Sequence, residues 1–562
     1  MDIYYKKLLS KIKDCVDVES ILKISRELCR VYSIGKLPSI VQILLAAKGE
    51  QRKKLFTILR SKPSRALSGI SVVAIMSKPS KCPHGKCSIC PGGPDSEFGN
   101  VPQSYTGNEP ATMRARRNDY HPYLQVFDRL HQYVLMGQVP NKIELIIMGG
   151  TFNAQDLEYQ EWFVANSLKA MNDFGNMFLP KGIDFERFIT FFELDEKNEM
   201  TEIREKKVKK KMYSLIEENI SLEKEQELNE SSNMRCVALC LETRPDYCKI
   251  ENIKHMLKLG VTRVELGVQS VYDYILKNIN RGHVVYHSVE ATRLLKDSGL
   301  KVVYHILLGA PGYSCRKEIK MFKYLFNKKD FKPDGLKIYP CMVMKGTELF
   351  NQWKAGKFQP LNTETAAKLI AEIKARYIPS YCRIMRIQRD ISSKVVSAGV
   401  DKTNLRQYIE EILLKKNKRC KCIRCREAGR VEEIKGEPKF LEKKYKASKG
   451  MEYFLSLETE NALLGFLRLR FPFRPFINEL KDCALVRELH VYGESTELGK
   501  IGKVQHLGYG KELMKKAEEL AIKNKYKKLA VISGIGVREY YRKLGYQREG
   551  FYMIKDLAKN HL

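Results

Sequence analysis

Short apolar segments alternate with charged, helical ones from about residue 70 to residue 375. Runs of this length that are rich in β-branched residues are typical of buried strands, and the segments between them have helical spacing. The alternation predicts a parallel sheet with crossover helices, an α/β barrel-like domain with its chemistry at the carboxyl ends of the strands. The predicted strands are Ile143–Met148, Met234–Leu241, Val261–Val268, Val302–Leu308 and the shorter Leu336–Tyr339.

The two ends of the chain have different patterns from this central domain, which we assign to residues 76–375. Residues 1–75 combine apolar positions at helical spacing with an excess of bases, which predicts a basic helical segment. Residues 376–440 form a basic linker, and residues 441–562 predict a smaller α/β domain. The strands of that domain are expected near Phe454–Leu457, Leu463–Leu469, Ala484–Val491 and Lys528–Ile532, with helices at about 508–524 and 536–543.

A segment rich in Glu and Lys, about residues 194–232, interrupts the central domain. Its composition predicts an exposed, solvated helix.

The net charge of the chain indicates a polyanionic partner. The 562-residue chain has 99 Lys and Arg against 66 Asp and Glu, which gives a net charge of +33. Because binding to phosphates releases counterions, this excess favours a nucleic-acid partner, and a generally basic proteome or a ribosome-like environment is the alternative. No secretory signal opens the sequence, and the apolar run Ile40–Ala47 is too short to span a bilayer, so we expect a cytoplasmic protein without membrane contact.

Fifteen cysteines without a secretory signal favour reduced thiols and metal sites over disulfides. Cys82, Cys87 and Cys90 lie close together in a loop rich in Gly and Pro. Three thiolates can hold a 4Fe-4S cluster and leave one iron open for a cofactor. The alternatives are a zinc ion with His84 as its fourth ligand and a set of inert buried thiols.

A second cysteine group consists of Cys420, Cys422 and Cys425. The CxCxxC spacing suits structural zinc in a closed tetrahedral site, with a fourth ligand that the sequence does not identify. A second iron–sulfur centre and the absence of any metal are the alternatives. Bases beside the group are suited to an RNA backbone, and these are Arg419, Lys421, Arg424 and Arg426.

A loop with two glycines precedes a predicted helix in the carboxy-terminal domain. Its backbone N–H groups can bind a pyrophosphate, although a simple helix-entry turn has the same composition. The loop residues resemble the Q/R-x-x-G-x-G/A pattern of the GNAT superfamily of N-acetyltransferases, and the flanking segments 487–493 and 540–546 extend the resemblance. The loop residues are Gln505, His506, Leu507, Gly508, Tyr509, Gly510 and Lys511.

The GNAT resemblance implies an acetyl-CoA site. The loop would hold coenzyme A, and Glu488, Leu489, His490 and Val491 would line the thioester. The resemblance places the catalytic groups at Glu488, His490, Tyr540 and Tyr541, where a tyrosine can protonate the leaving thiolate. Packing in the domain core is the alternative role of the two tyrosines.

Several motifs accompany the first cysteine group: Pro83–Gly85, Cys90–Ser96, Gln103–Gly107, Pro110–Ala115, Met148–Phe152, Glu242–Asp246 and Glu265–Ser270. Together they resemble the radical S-adenosylmethionine (SAM) superfamily, and more closely the family of the Elongator catalytic subunit with its archaeal and bacterial relatives. The resemblance runs from about Lys62 to Tyr552. The CxxxxCxxC spacing departs from the general CxxxCxxC pattern, but the first gap varies within the Elongator family.

The resemblance implies a role for each motif of the central domain. The first three cysteines would hold the 4Fe-4S cluster, with SAM on the open iron. Backbone groups of Gly149, Gly150 and Thr151 would contact the methionine part of SAM, and a simple tight turn is the alternative. Polar contacts to cofactor and substrate would come from Glu242, Arg244 and Gln269.

The resemblance further implies one coupled reaction, the formation of 5-carboxymethyluridine at the wobble position of tRNA. A SAM-derived radical would take hydrogen from the methyl group of acetyl-CoA, the carbon would add to uracil, and water would cleave the thioester. A protein lysine acetyltransferase with a structural iron–sulfur domain is the main alternative, and an inactive tRNA-binding scaffold is another.

The expected partners are tRNA, an electron donor for the cluster, and either a second copy of the chain or accessory subunits. Splayed nucleobases of an anticodon loop can stack on aromatic rings of the protein, while its basic side chains contact the phosphates. We expect Tyr4, Tyr5 and the basic runs Lys6–Lys13 and Gln51–Lys54 to contribute such contacts.

Overall fold

The structure is a computed structural model that describes residues 2–59, 69–195, 197–199, 201–492 and 508–558. It contains amino-terminal helices, a central domain and a carboxy-terminal domain. Within these ranges, no helix combines the length and the apolar character needed to cross a membrane.

The amino-terminal segment consists of α1 (Asp2–Lys11), α2 (Val18–Val31), α3 (Ile40–Ala46) and α4 (Gly49–Ile58). The tyrosines of α1 face inward, because Tyr4 and Tyr5 are 1% and 5% exposed and the Tyr4 hydroxyl lies 2.6 Å from Ser25 Oγ. The expectation that these rings stack on RNA bases is therefore wrong. Arg52 is also unavailable to RNA, since it is buried and pairs with Glu186 at 2.8 Å.

The central domain is built on parallel strands. Its strands are β1 (Ser71–Met76), β2 (Gly93–Ser96), β3 (Gly99–Val101), β4 (Lys142–Met148), β5 (Arg235–Thr243), β6 (Arg263–Gln269), β7 (Lys301–Leu308), β8 (Gly335–Pro340), β9 (Val343–Met344), β10 (Arg383–Ile387) and β11 (Val396–Ala398). Seven of them form one parallel sheet in the order β1-β4-β5-β6-β7-β8-β10. This curved, open half-barrel confirms the predicted α/β class.

Helices connect successive strands and cover the outer face of the sheet. They are α5 (Pro110–Arg117), α6 (Pro122–Leu135), α7 (Leu157–Phe178), α8 (Phe185–Phe191), α9 (Glu202–Tyr213), α10 (Leu222–Ser231), α11 (Ile250–Lys258), α12 (Asp273–Asn278), α13 (Val285–Asp297), α14 (Cys315–Asn327), α15 (Glu348–Lys354), α16 (Thr363–Arg376), α17 (Leu405–Lys415) and α18 (Ile423–Arg426). The long α7 begins where the Asp156 carboxylate accepts the N–H of Glu158 at 2.8 Å.

The charged insertion is more buried than its composition indicates. In α10, Glu225 and Glu230 are 3% and 8% exposed. Glu225 accepts a hydrogen bond from Asn172 of α7 at 2.8 Å, and Glu230 pairs with Arg538 of the carboxy-terminal domain at 2.8 Å. The expectation of an exposed helix is therefore wrong for α10, because its acidic side chains find partners on two domains.

The carboxy-terminal domain is a second mixed sheet with its own helices. Its elements are β12 (Lys439–Ala447), β13 (Gly450–Glu458), β14 (Leu463–Phe471), β15 (Cys483–Val491), α19 (Tyr509–Lys523), β16 (Lys528–Val531), α20 (Arg538–Arg542), β17 (Gln547–Glu549) and β18 (Tyr552–Asp556). The strand order is β12-β13-β14-β15-β16-β18-β17, and β15 and β16 are parallel. Strand β16 pairs with β15 only from Cys483 to Val486, although β15 continues to Val491.

Buried ion pairs join this domain to the amino ends of the central strands. Arg487 of β15 donates to both carboxylate oxygens of Asp334, at 2.8 and 2.7 Å, directly before β8. Arg470 of β14 pairs with Asp297 at 2.6 Å, before β7. All four side chains are fully buried. Since a buried charge is costly without its partner, these pairs fix how the two domains meet.

Candidate active site

The loop between β1 and β2 holds the first cysteine group near the carboxyl end of the sheet. Cys90 Sγ accepts the backbone N–H of Ser104 at 3.2 Å. Cys87 Sγ lies 3.2 Å from His84 Nε2 and 3.7 Å from Arg281 Nη1. A backbone N–H and a guanidinium therefore contact sulfurs of this group, and cysteine binds metal as the thiolate.

The spacing of the cysteines fits a cluster better than a single ion. Among the described residues, two groups of three ligand atoms lie within 4.8 Å of one another, and the group of Cys82, Cys87 and Cys90 is not one of them. Two thiolates on one zinc ion lie about 4 Å apart, whereas a cube of four irons holds its cysteines farther apart. Burial raises the pKa of Cys82 and Cys90, and a bound cationic centre would offset that effect.

Two glycines at the end of β4 give the backbone a close approach to Cys82. Gly149 and Gly150 have φ of +126° and +89°, which glycine adopts readily. A Cβ on Gly149 would lie 2.3 Å from Ser77 Oγ, and one on Gly150 would lie 3.8 Å from Cys82 Sγ. Thr151 Oγ1 lies 3.9 Å from the same sulfur. Bare backbone beside a cluster ligand is what the predicted SAM site requires.

Two of the predicted polar contacts have different surroundings. Arg244 donates to both oxygens of Asp246, at 3.0 and 2.8 Å, and to the carbonyl of Arg281 at 2.8 Å. Its side chain is only 3% exposed. Gln269 ends β6 with φ of +66° and lines the central cavity. Both residues line the cavity, and Arg244 in addition holds the loop that carries Arg281.

Glu242, the third predicted polar contact, lines the cavity within a polar cluster inside the half-barrel, and sequence reasoning did not predict its partners there. Glu242 and Glu265 both contact Lys337 Nζ, at 2.9 Å for Glu242, and His305 Nε2 lies 2.8 Å from Glu265. Burial raises the pKa of Glu265, but Lys337 and Arg263 outweigh burial and hold that pKa well below its usual range. The available signal was the presence of Glu and Lys inside otherwise apolar strands, since buried charges need partners.

The structure brings together those predicted coenzyme A residues that it describes. Gly508 caps α19 with φ of +86°, and the first N–H groups of α19 have no acceptor within the helix and are available to a pyrophosphate. Gln505 and His506 lie outside the described residues. The predicted coenzyme A residues that line the central cavity are Glu488, Leu489, His490, Val491, Gly508, Tyr509, Gly510, Lys511, Tyr540 and Tyr541.

The two tyrosines of α20 differ in what they face. Tyr541 is 6% exposed and packs in the domain core, with its ring centroid 6.0 Å from that of Tyr546. Tyr540 faces the coenzyme A loop, because a Cβ on Gly510 would lie 2.8 Å from Tyr540 Oη. Burial raises the pKa of Tyr540 to about 12, so its hydroxyl is protonated at neutral pH. Tyr540 is therefore the better placed proton donor.

Glu488 and His490 are held in different charge states. Glu488 contacts Lys301 of β7 and accepts from Arg468 Nε at 2.8 Å. Burial opposes ionisation of Glu488, but these cations lower its pKa to about 2. Burial lowers the pKa of His490 to about 4, and its Nε2 has no hydrogen-bond partner among the described residues. Glu488, which is paired with two cations, therefore forms an ion pair between the domains, whereas the neutral imidazole of His490 can bind a ligand.

One cavity of about 1520 Å³ contains both predicted cofactor sites. The first cysteine group lines it at the carboxyl ends of the strands, and the coenzyme A residues line it where the carboxy-terminal domain covers the amino ends. Strand β6 has seven residues, so the two ends are about 20 Å apart. The two predicted cofactor sites, which the sequence places on separate domains, therefore open into a single cavity.

The second cysteine group is compact enough for one ion. The sulfurs of Cys420, Cys422 and Cys425 lie within 4.8 Å of one another, and no fourth His, Cys, Asp or Glu of the described chain joins them at that spacing. Lys374 Nζ is buried without a hydrogen-bond partner among the described residues, and it lies close enough to Cys425 for their charges to interact. A buried cation beside three thiols fits a site that carries negative charge when metallated.

Comparison with known protein families identifies the class. Successive parts of the chain match "ELP3 N-terminal domain" over residues 5–67, "Radical SAM superfamily" over 76–324, "Radical_SAM C-terminal domain" over 333–415 and "Acetyltransferase (GNAT) family" over 423–546. The fold and the site thus define a radical SAM domain joined to a GNAT-type acetyltransferase domain.

Similar individual proteins identify the family. The chain is 48% identical to "tRNA uridine(34) acetyltransferase" of Methanocaldococcus infernus over 98% of both chains. It is 37% identical to "Elongator complex protein 3" of Danio rerio, over 98% of this chain and 95% of that one. The solved structure "The archaeal Methanocaldococcus infernus Elp3 with N-terminus deletion (1-46)" covers 87% of this chain and 100% of its own, with 42% identity and a TM-score of 0.70. The protein belongs to the Elongator complex protein 3 (Elp3) family, as its sequence motifs predict.

Proposed function

We propose that this protein is a tRNA-modifying enzyme that forms 5-carboxymethyluridine at the wobble position from acetyl-CoA. The names of its relatives point to uridine 34 of tRNA. The observation that carries the proposal is the cavity that the first cysteine group shares with the coenzyme A residues. When bound, a 4Fe-4S cluster with SAM would supply the radical chemistry that joins an unactivated methyl carbon to uracil.

The residues of the chain bind and orient the reactants. Cys82, Cys87 and Cys90 would hold the cluster, and the backbone of residues 149–151 with Gln269 would hold SAM. The amides that begin α19 would bind the pyrophosphate of acetyl-CoA, and Gln505 and His506 would extend that loop. Residues 488–491 direct the acetyl group into the cavity. Closing the site between two domains keeps bulk water from the reactive carbon.

Tyr540 would complete the reaction after the new carbon–carbon bond has formed. Water must cleave the thioester, and the departing thiolate needs a proton. Because the pKa of Tyr540 is raised to about 12, its hydroxyl remains protonated and lies beside the loop that would hold coenzyme A. The neutral His490 can accept the proton of the attacking water.

The remaining partners follow from the same reaction. The net charge of +33 favours an RNA substrate, which a cytoplasmic enzyme would meet as free tRNA. The cluster would need an electron donor, and a second copy or accessory subunits would extend the RNA-binding surface. Cys420, Cys422 and Cys425 would hold a structural zinc ion.

A lysine acetyltransferase is the less favoured reading. That reaction gives no reason for the cavity to continue to the cysteine loop.

An anaerobic assay tests the proposal directly. Protein reconstituted with iron and sulfide is incubated with tRNA, SAM, dithionite and acetyl-CoA labelled at the methyl carbon, and nucleosides are analysed by mass spectrometry. We expect labelled 5-carboxymethyluridine from the wild type and from Cys315→Ala, which changes a thiol outside both groups, but none from Cys87→Ala. An intact cluster and SAM cleavage without any labelled nucleoside would refute the proposed reaction.

A further inference from the structure

Four guanidinium groups gather at one side of the cavity, beside the second cysteine group. They belong to Arg383 of β10, Arg406 in the first turn of α17, Arg424 of α18 and the nearby Arg430, and all four line the cavity. A single carboxylate lies among them. Glu427 pairs with Arg383 at 2.6 Å and also contacts Arg430. The cluster therefore holds more positive than negative charge.

Two of these arginines are not directly paired, although Glu410 acts electrostatically on Arg406 and Glu427 acts on Arg424. Neither Arg406 nor Arg424 makes an ion pair or a hydrogen bond with the described part of the chain. The charged neighbours of Arg424 are Arg406, Arg430 and Arg383, together with Glu427, which is already paired with two of them. Like charges that approach one another in a partly buried site are unfavourable unless an anion joins them.

The neighbouring thiols do not supply enough negative charge. The charges of Cys425 and Cys422 act on Arg406, so a metallated group would partly balance it. However, three thiolates on one zinc ion leave a net charge of only about −1. The buried Lys374 lies close to Cys425, so the negative charge of the thiolates also has to balance this lysine. Arg424 then has only Glu427, which is already paired with Arg383 and Arg430.

We propose that Arg406 and Arg424 bind a phosphodiester of the substrate RNA, next to the target uridine. This inference rests on the proposed function, since it concerns the RNA of that reaction. Arginine matches a phosphate with two parallel hydrogen bonds, and phosphate contacts fix the register of an RNA on its protein. Both side chains are partly exposed, so they lie where the cavity meets solvent. A base that enters the cavity brings its flanking phosphates to that rim.

Coenzyme A is the other source of phosphate near this cavity. Its predicted pyrophosphate site is the start of α19, where backbone amides rather than arginines face the ligand. The experiment therefore measures RNA and coenzyme binding separately.

The test uses the full chain with zinc bound and a fluorescent anticodon stem–loop RNA. Dissociation constants are measured by anisotropy over a series of KCl concentrations for the wild type, Arg406→Gln, Arg424→Gln and the double variant. Lys415→Gln is the matched control, because it removes a positive charge from an exposed residue of α17, the helix of Arg406, outside the cavity. Zinc content and thermal midpoint show that each variant is folded.

We expect the double variant to lower the slope of log Kd against log salt by about 0.7, for the one lost phosphate contact, and each single variant to lower it by part of that amount. Affinity for the RNA falls roughly tenfold per variant at low salt, and Lys415→Gln changes the slope much less. The Kd for acetyl-CoA stays the same in all variants. A double variant that is folded and keeps the wild-type slope overturns the inference. A rise in Kd for acetyl-CoA that disappears with 3′-dephospho-CoA also overturns it, because the arginines then bind the coenzyme.

A second measurement keeps the wild-type protein and changes the RNA. A neutral methylphosphonate replaces each linkage beside the wobble uridine in turn. One replacement should weaken binding to the wild type as much as the double variant does, and should have no further effect on the double variant. If every replacement weakens RNA binding by the same further factor in the double variant as in the wild type, the two arginines do not bind any of these phosphodiesters. Wild-type protein that binds this RNA but forms no carboxymethyluridine would refute the proposed function alone.

Discussion

At the scale of single residues, Glu488 shows how surroundings decide a role that a motif leaves open. The GNAT resemblance makes it a candidate base, yet Lys301 and Arg468 hold it ionised across the domain boundary. A carboxylate in that state stabilises the fold at neutral pH rather than taking up a proton. Its neighbour His490 is neutral, and its Nε2 remains available within the described structure.

We predict that Glu488→Gln destabilises the protein in a pH-dependent way. The folded pKa of about 2 is below the unfolded value of 4.5, so the contribution is complete above pH 4.5 and is lost as pH falls toward 2. That difference corresponds to roughly 3 kcal/mol at pH 7. Urea unfolding from pH 7 to pH 3 measures it, and Glu519→Gln on the exposed face of α19 is the control. Unchanged stability with lost activity would instead make Glu488 a catalytic base.

Arg281, which sequence reasoning did not single out, lies beside the first cysteine group. Its Nη1 lies 3.7 Å from Cys87 Sγ, and it forms no ion pair with a described carboxylate. Because a nearby positive charge favours the more negative, reduced cluster, we predict that Arg281→Gln lowers the midpoint potential by on the order of 60 mV. A redox titration followed by electron paramagnetic resonance measures this shift. Lys277→Gln, an exposed charge on α12, should leave the potential unchanged, and an equal shift in both variants would contradict the prediction.

At the scale of elements, the contact between α19 and α20 shapes the coenzyme A site. A Cβ on Gly510 would lie 2.8 Å from Tyr540 Oη but 3.8 Å from the ring carbon that bears it. We predict that Gly510→Ala displaces the hydroxyl and weakens acetyl-CoA binding about tenfold, a loss of roughly 1.4 kcal/mol. The double variant Gly510→Ala with Tyr540→Phe should recover most of that affinity in calorimetry. No recovery would mean that the glycine serves the ligand directly and not the tyrosine.

The sequence located five of the seven strands of the central sheet, because each of the five is a short apolar run between charged segments. It did not predict β1 or β10, and β10 lies within the residues that we assign to a basic linker. The predicted strand at residues 302–308 is β7, and that at 143–148 is β4, each short by one residue. It missed β12, since an edge strand with four exposed or half-exposed lysines has no apolar period. The pairing of Lys337 with Glu242 and Glu265 joins three strands far apart in sequence. Such long-range pairs cannot be read from local patterns, although a charge inside a strand signals that one exists.

At the scale of the whole molecule, the two domains are joined by charge rather than by apolar contacts alone. Arg468, Arg470 and Arg487 are among the most deeply buried large side chains, and all three extend from the carboxy-terminal sheet toward the central domain. Their partners lie at the amino ends of the central strands, directly below the cavity. Ion pairs with fixed geometry suit a boundary that has to hold two half-sites in register, because they tolerate little sliding.

Asp334 is the residue on which this boundary depends most, since it accepts from Arg487 and lies 3.7 Å from both Lys296 and Arg468. We predict that Asp334→Asn costs about 3–5 kcal/mol of stability, because it leaves these cations with too little negative charge. Calorimetry should show a lower midpoint and separate unfolding of the two domains, and Glu519→Gln should show neither change. Under anaerobic assay conditions, the loosened boundary should let SAM cleavage continue while formation of 5-carboxymethyluridine falls. If cleavage and product formation instead fall together, the boundary supports the cluster site itself and does not align it with the coenzyme A site.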